Sequence, residues 1–68
     1  SYDSFNNMIY FLACIFNHAV SDVLINNYWV LLRDHSALHL RTKAYQIAKT
    51  NRCFPLPCDF IDNAEVKS

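Results

Sequence analysis

The 68-residue chain contains no glycine, and that absence removes two kinds of structure at once. Tight two-residue hairpins and phosphate-cradling loops both draw on glycine's access to left-handed backbone. An excess of charge of either sign is also missing. Six basic residues balance six acidic ones, so the net charge is zero and whole-molecule electrostatics argue for no polyanionic partner. Near-neutrality takes away one defence against self-association as well. Long apolar runs are absent: the longest dense one, Met8 to Phe16, has nine residues, whereas a membrane-spanning helix needs about 20. The same stretch lacks the basic leader and small-residue cleavage pattern of a secretory signal. No membrane span is expected. Cysteines number three, and an odd count fits poorly with a fully paired secreted scaffold. An intracellular location, cytoplasm or nucleus, follows as the expectation, with the thiols reduced and buried as small apolar groups.

What the chain has is apolar surface. Hydrophobic residues make up 53% of it, including five Phe, four Tyr and one Trp. A chain this short buries only about 60% of the surface its unfolded form exposes, so its core is small. Sixty-eight residues make one small helical domain, spanning 1–68, or one piece of a larger protein. More apolar material than such a core can hide points to a partner surface.

Hydrophobic spacing predicts three helices. In the first, about 5 to 18 with Ser4 or Asp3 as N-cap, Phe5, Met8, Ile9, Leu12, Phe16 and Ala19 form an inward stripe at i, i+3, i+4 spacing. Tyr10, Phe11, Cys14 and Ile15 fall largely outside that stripe, which makes the helix greasy almost all round. Such a helix is enclosed by neighbours or covered by another chain. Ser21 caps a second, about 22 to 33, with Asp22 placed against the positive helix end. It carries Tyr28, Trp29 and Leu32 among many β-branched and aromatic residues, so a strand over 28–32 is the competing assignment. The third runs from about 37 to 50 after a break at 33–36, one continuous helix over 22–50 being the alternative. Ala37, Leu40, Ala44, Ile47 and Ala48 form its inner face, with Arg41, Thr42, Lys43, Gln46, Lys49 and Thr50 mostly outward.

Both prolines fall within "CFPLPC", 53–58. Phe54 and Leu56 each precede a proline, which drives them extended and ends the helix by about Asn51. The expectation is a strap in which Phe54 and Leu56 lie back across the core. A short C-terminal segment capped by Asp59 follows, with Phe60, Ile61 and Ala64 inward.

Three patterns bear on chemistry. His35 and His39, followed by Cys53 and Cys58, offer a two-nitrogen, two-sulfur set of the kind zinc favours. A Ser36 cap would leave His35 outside the helix and spoil the shared face. The same two cysteines admit a disulfide across a tight turn, against the reduced state already favoured. Four of the six basic residues, Arg41, Lys43, Lys49 and Arg52, fall in 41–52. A basic third helix admits a helix-turn-helix-like nucleic-acid module, although neutral overall charge and the usual place of cations near a helix C-terminus favour a solvated face. No nucleophile–base or paired-carboxylate set has a recognisable local context, and the protein is not expected to be an enzyme or to need a cofactor.

"SALHLR" (36–41) followed by "PLP" (55–57) resembles, over roughly 25 residues, the SOCS box, a helical module that docks on elongin C and a cullin. Ala37 stands at the family's leucine position and Arg41 at its cysteine position. "LLRDHSALHLRTKAYQIAK" (31–49) is similar in texture to one unit of a HEAT-type repeat. Neither is adopted as a family assignment. The reading is an all-α, three-helix bundle with a proline strap, acting in protein–protein interaction by homodimerising or docking on a partner. Tyr10, Phe11, Ile15, Tyr28, Trp29 and Leu32 are the candidate contact residues, because aromatic anchors dominate interface energetics. A helix-turn-helix-like module and a small zinc-stabilised adaptor are the alternatives.

Overall fold

In the computed structural model, residues 1–61 are described, and they form three helices and a short turn of 3₁₀ helix. Helix α1 is Tyr2–Phe16, α2 is Asp22–Leu32, α3 is Ala37–Thr50, and the 3₁₀ segment is Pro57–Phe60. Among the described residues there is no strand, so the segment 28–32 is helical despite its β-branched content. Helical spacing there buries Ile25 and Leu32 on one side, a periodicity that a strand would destroy. The break at 33–36 is real, and the single long helix over 22–50 is excluded.

Serines start every α-helix. Ser21 and Ser36 accept hydrogen bonds from the backbone N–H of Leu24 (3.2 Å) and His39 (3.0 Å), as the sequence predicts. Each such cap contributes about 1 kcal/mol. At α1 the cap is Ser1, accepting from the Ser4 N–H at 3.3 Å, in place of Ser4 or Asp3. The helix therefore begins three residues earlier than periodicity suggested, since polar first-turn residues carry no apolar signal. It also ends earlier. Asn17 takes the left-handed conformation, φ 53°, and the N–H of His18 returns to the Ala13 carbonyl at 2.9 Å. In a chain without glycine, asparagine is the residue best suited to that turn. Ala19 consequently lies beyond the helix, exposed, and leaves the predicted inner stripe.

The core is built from Phe5, Ile9 and Leu12 of α1, Ile25 and Leu32 of α2, and Leu40, Ala44 and Ile47 of α3. Phe60 completes it, fully buried, from a 3₁₀ segment that packs on both α2 and α3. Removing that side chain from water contributes roughly 1.5–3 kcal/mol.

The strap exists, but its inward residues differ from expectation. Phe54 is half-buried, whereas Leu56 points outward at 62% exposure and Pro55 is fully buried in its place. The reason is hydrogen bonding. The Tyr28 hydroxyl donates to the Pro55 carbonyl at 2.7 Å, which fixes Pro55 against α2. Phe54 then stacks on His18, with ring centres 4.2 Å apart. The short segment expected after Asp59 falls mostly outside the described residues; within them Asp59 serves the 3₁₀ turn. Its Oδ2 accepts from the Leu56 N–H at 2.9 Å, closing the 3₁₀ turn on itself. Phe60 is buried and Ile61 packs partly against the core; the expectation for Ala64 lies outside the described residues.

Candidate interaction surface

The outward side of α1 exposes large apolar side chains next to the seam with α3. Tyr10, Phe11 and Ile15 are exposed by 46%, 41% and 46%, with exposed Cys14 between them. They are outward because the inward stripe consists of Phe5, Ile9 and Leu12, and the 100° step of an α-helix places residue 15 on the flank of that stripe and residues 10, 11 and 14 behind it. On the α3 side the patch gains Tyr45, whose ring meets Phe11 edge-to-face at 5.7 Å. Edge-to-face aromatic pairs contribute about 0.5–1.5 kcal/mol beyond area burial. Around this pair runs a shallow groove of about 310 Å³ between α1 and α3, with Met8 and Ala44 on its floor and Arg41 at its rim.

The other three predicted contact residues sit elsewhere. Leu32 is fully buried in the core. Trp29 is half-buried and packs its ring on Tyr2 (5.4 Å) and Phe5 (5.2 Å). Tyr28 is half-buried and committed to the Pro55 carbonyl. Burial raises its hydroxyl above the ordinary tyrosine range, and the negative charges of Asp59 and Cys58 act in the same direction. All three belong to the packing of α2, whose own outward residues are Val23, Val30 and Leu31. Sequence spacing missed Tyr45, an aromatic residue standing among the polar outward positions of α3; that isolation was the signal.

The basic residues separate. Arg41, Lys49 and Arg52 are exposed, while Lys43 is half-buried on the other flank of α3. The four candidate zinc ligands do not converge. Among the described residues no three His, Cys, Asp or Glu side chains come together. Only His35 and His39 meet: Ser36 does cap α3 and leaves His35 outside it, yet the rings stack with centres 5.4 Å apart. The Nε2 of His39 pairs with the Phe60 carbonyl oxygen at 2.9 Å, which occupies that nitrogen with backbone. Cys53 and Cys58 are free and, with Cys14, exposed, so the expectation of buried thiols is corrected. Cys14 lies on the outward side of α1, Cys53 in the strap and Cys58 in the 3₁₀ turn.

A second hollow lies where the start of α1, the end of α2 and the start of α3 meet. It encloses about 120 Å³ and is lined by Phe5, Met8, Trp29 and Leu40 together with Arg33 and Arg41. Arg33, the C-cap of α2, and Arg41 of α3 are exposed residues that also line the hollow, which puts them at its opening. Among the described helices, none is long and apolar enough to cross a membrane. Comparison with family models, curated proteins and solved structures finds no match to the chain.

Proposed function

We propose that the protein is a protein–protein interaction module that uses the outward side of α1 and its seam with α3. One observation carries this reading: Tyr10, Phe11 and Ile15 stay exposed while Phe5, Ile9 and Leu12 of the same helix already fill the core. Apolar side chains are also exposed on α2 and at Leu38, but the α1 side adds an aromatic pair with Tyr45 beside a groove, the composition that interface anchors favour. Trp29, Tyr28 and Leu32 support the patch from within by fixing α2, and are not contact residues in this reading.

The patch itself carries no charge between Asn7 and Asn17. A second copy presenting the same surface therefore meets like charge at Arg41 on the groove's rim and not along α1, and self-association is its simplest mode. Dilution through the micromolar range in the analytical ultracentrifuge tests it. The expected result is a mass above 7.9 kDa that falls with dilution and is lost in the double variant Phe11→Asp, Ile15→Asp. A 7.9 kDa species at every concentration, without binding of a hydrophobic dye, is the opposing result.

A further inference from the structure

We propose that the hollow between the ends of the three helices is a binding site for a small organic anion with a short apolar body, a medium-chain or single-ring carboxylate. The hollow shares Ser4, Met8 and Arg41 with the groove beside the interaction surface, while Trp29 and Arg33 belong to the hollow. Ligand binding there requires no partner protein.

Size sets the first limit. At about 120 Å³ the hollow is slightly smaller than an apolar cavity of about 150 Å³ known to accept one benzene ring. It holds a chain of a few carbons or one compact ring, and excludes anything bulkier from its interior. Chemistry sets the second. The interior surfaces are Phe5, Met8, Leu40 and the face of Trp29, which reward an apolar body. Arg33 and Arg41 also line the hollow, and among the described residues no carboxylate side chain does. Asp34, the acidic residue next to Arg33 in sequence, is absent from the lining.

Two guanidiniums over an apolar pocket select charge as well as shape. An amine would face two like charges, and a neutral alcohol would leave the forks of both arginines to water. A carboxylate matches the planar N–H geometry of arginine. Ser4 adds a hydroxyl at the wall: its Oγ lies 3.3 Å from that of Ser1, which also lines the hollow. Together they add polar hydrogen-bonding capacity beside the arginines. The arrangement thus has the features expected of a small-ligand site, an apolar interior with a few convergent polar groups.

The chain supplies its own reporter, because Trp29 is the sole tryptophan and forms part of the wall. Titration of the full chain with hexanoate, followed by tryptophan fluorescence and by backbone amide shifts, is the test. Saturable binding is expected with a dissociation constant on the order of 1 mM, the range open to so few atoms. Hexanol, with the same body and no charge, should bind at least about tenfold more weakly, and acetate should not saturate, because head and body each supply part of the binding. Arg33→Gln should weaken hexanoate by about tenfold and leave hexanol unchanged. Equal affinity for hexanol and hexanoate would overturn the proposal without any variant, as would saturation by acetate in the same range. Failure of hexanoate to saturate, or indifference to Arg33→Gln in a chain with native amide shifts, would overturn it equally. Arg33 and Trp29 lie outside the groove at Phe11 and Tyr45, whereas Ser4, Met8 and Arg41 line both. The titration is therefore repeated in the Phe11→Asp, Ile15→Asp variant, where hexanoate binding should persist and its loss would overturn the proposal.

Discussion

Helices α1 and α3 give the core nearly the same thing and give solvent very different things. Each contributes an inward stripe at helical spacing: Phe5, Ile9 and Leu12 from one, Leu40, Ala44 and Ile47 from the other. Behind its stripe α3 turns out Arg41, Thr42, Gln46 and Lys49 around exposed Leu38 and Tyr45, whereas α1 turns out Tyr10, Phe11, Cys14 and Ile15 with no charge among them. Monomer stability explains the inward half of both helices. It does not explain the outward half of α1, since exposed aromatic side chains add little to folding and invite association. The difference supports α1 as the interaction surface proposed above, and substitution tests it.

The largest expected effect separates inward from outward. Phe60→Ala, at the fully buried ring that closes the core, should cost about 3–5 kcal/mol, enough to unfold much of a domain this small. Chemical denaturation monitored by circular dichroism measures it, and Phe11→Ala in the same assay should cost less than about 1 kcal/mol. A Phe11→Ala loss as great as that of Phe60→Ala would move Phe11 into the core and remove the contrast. Next in size is association. Phe11→Asp together with Ile15→Asp should weaken self-association by at least tenfold, or about 1.4 kcal/mol. Lys49→Glu, on the outward side of α3, should leave it within about twofold, a few tenths of a kcal/mol.

Smaller effects test the strap that holds α2 in place. Tyr28→Phe removes the 2.7 Å bond to the Pro55 carbonyl and should cost about 1 kcal/mol. The same residue gives a pH signature. Its hydroxyl titrates above the ordinary range in the folded chain, chiefly through burial, so the folded state holds its proton more firmly than the unfolded state. The stability this provides is complete below the ordinary tyrosine value of about 10 and is lost as pH rises through the higher folded value. Unfolding curves collected on either side of that range should show an alkaline decline that Tyr28→Phe reduces. Ser21→Ala, which removes the cap of α2, should cost about 1 kcal/mol at any pH between these limits.

Much of this was legible in the sequence because helical spacing and serine caps are local signals. Ser21, Ser36 and the stop before Asn51 each act within one turn of chain, and the inward stripe of α1 follows from periodicity alone. The readings that changed depend on distant partners. Tyr28 and Trp29 look like surface anchors until Pro55, Tyr2 and Phe5 are seen against them. Leu56 looks like strap filling until the Tyr28 hydroxyl selects the neighbouring proline. His35 and His39 meet, but through a turn and a cap, and the cysteines expected beside them stay apart. The hollow at Arg33 and Arg41 was invisible because its walls come from three helices separated by loops.

Sedimentation equilibrium of the unmodified chain tests the central claim most directly. The account predicts a reversible complex of twice 7.9 kDa that dissociates on dilution through the micromolar range and disappears when Phe11 and Ile15 both become aspartate. A single 7.9 kDa species at every concentration, with no dye bound to the side of α1, would contradict it.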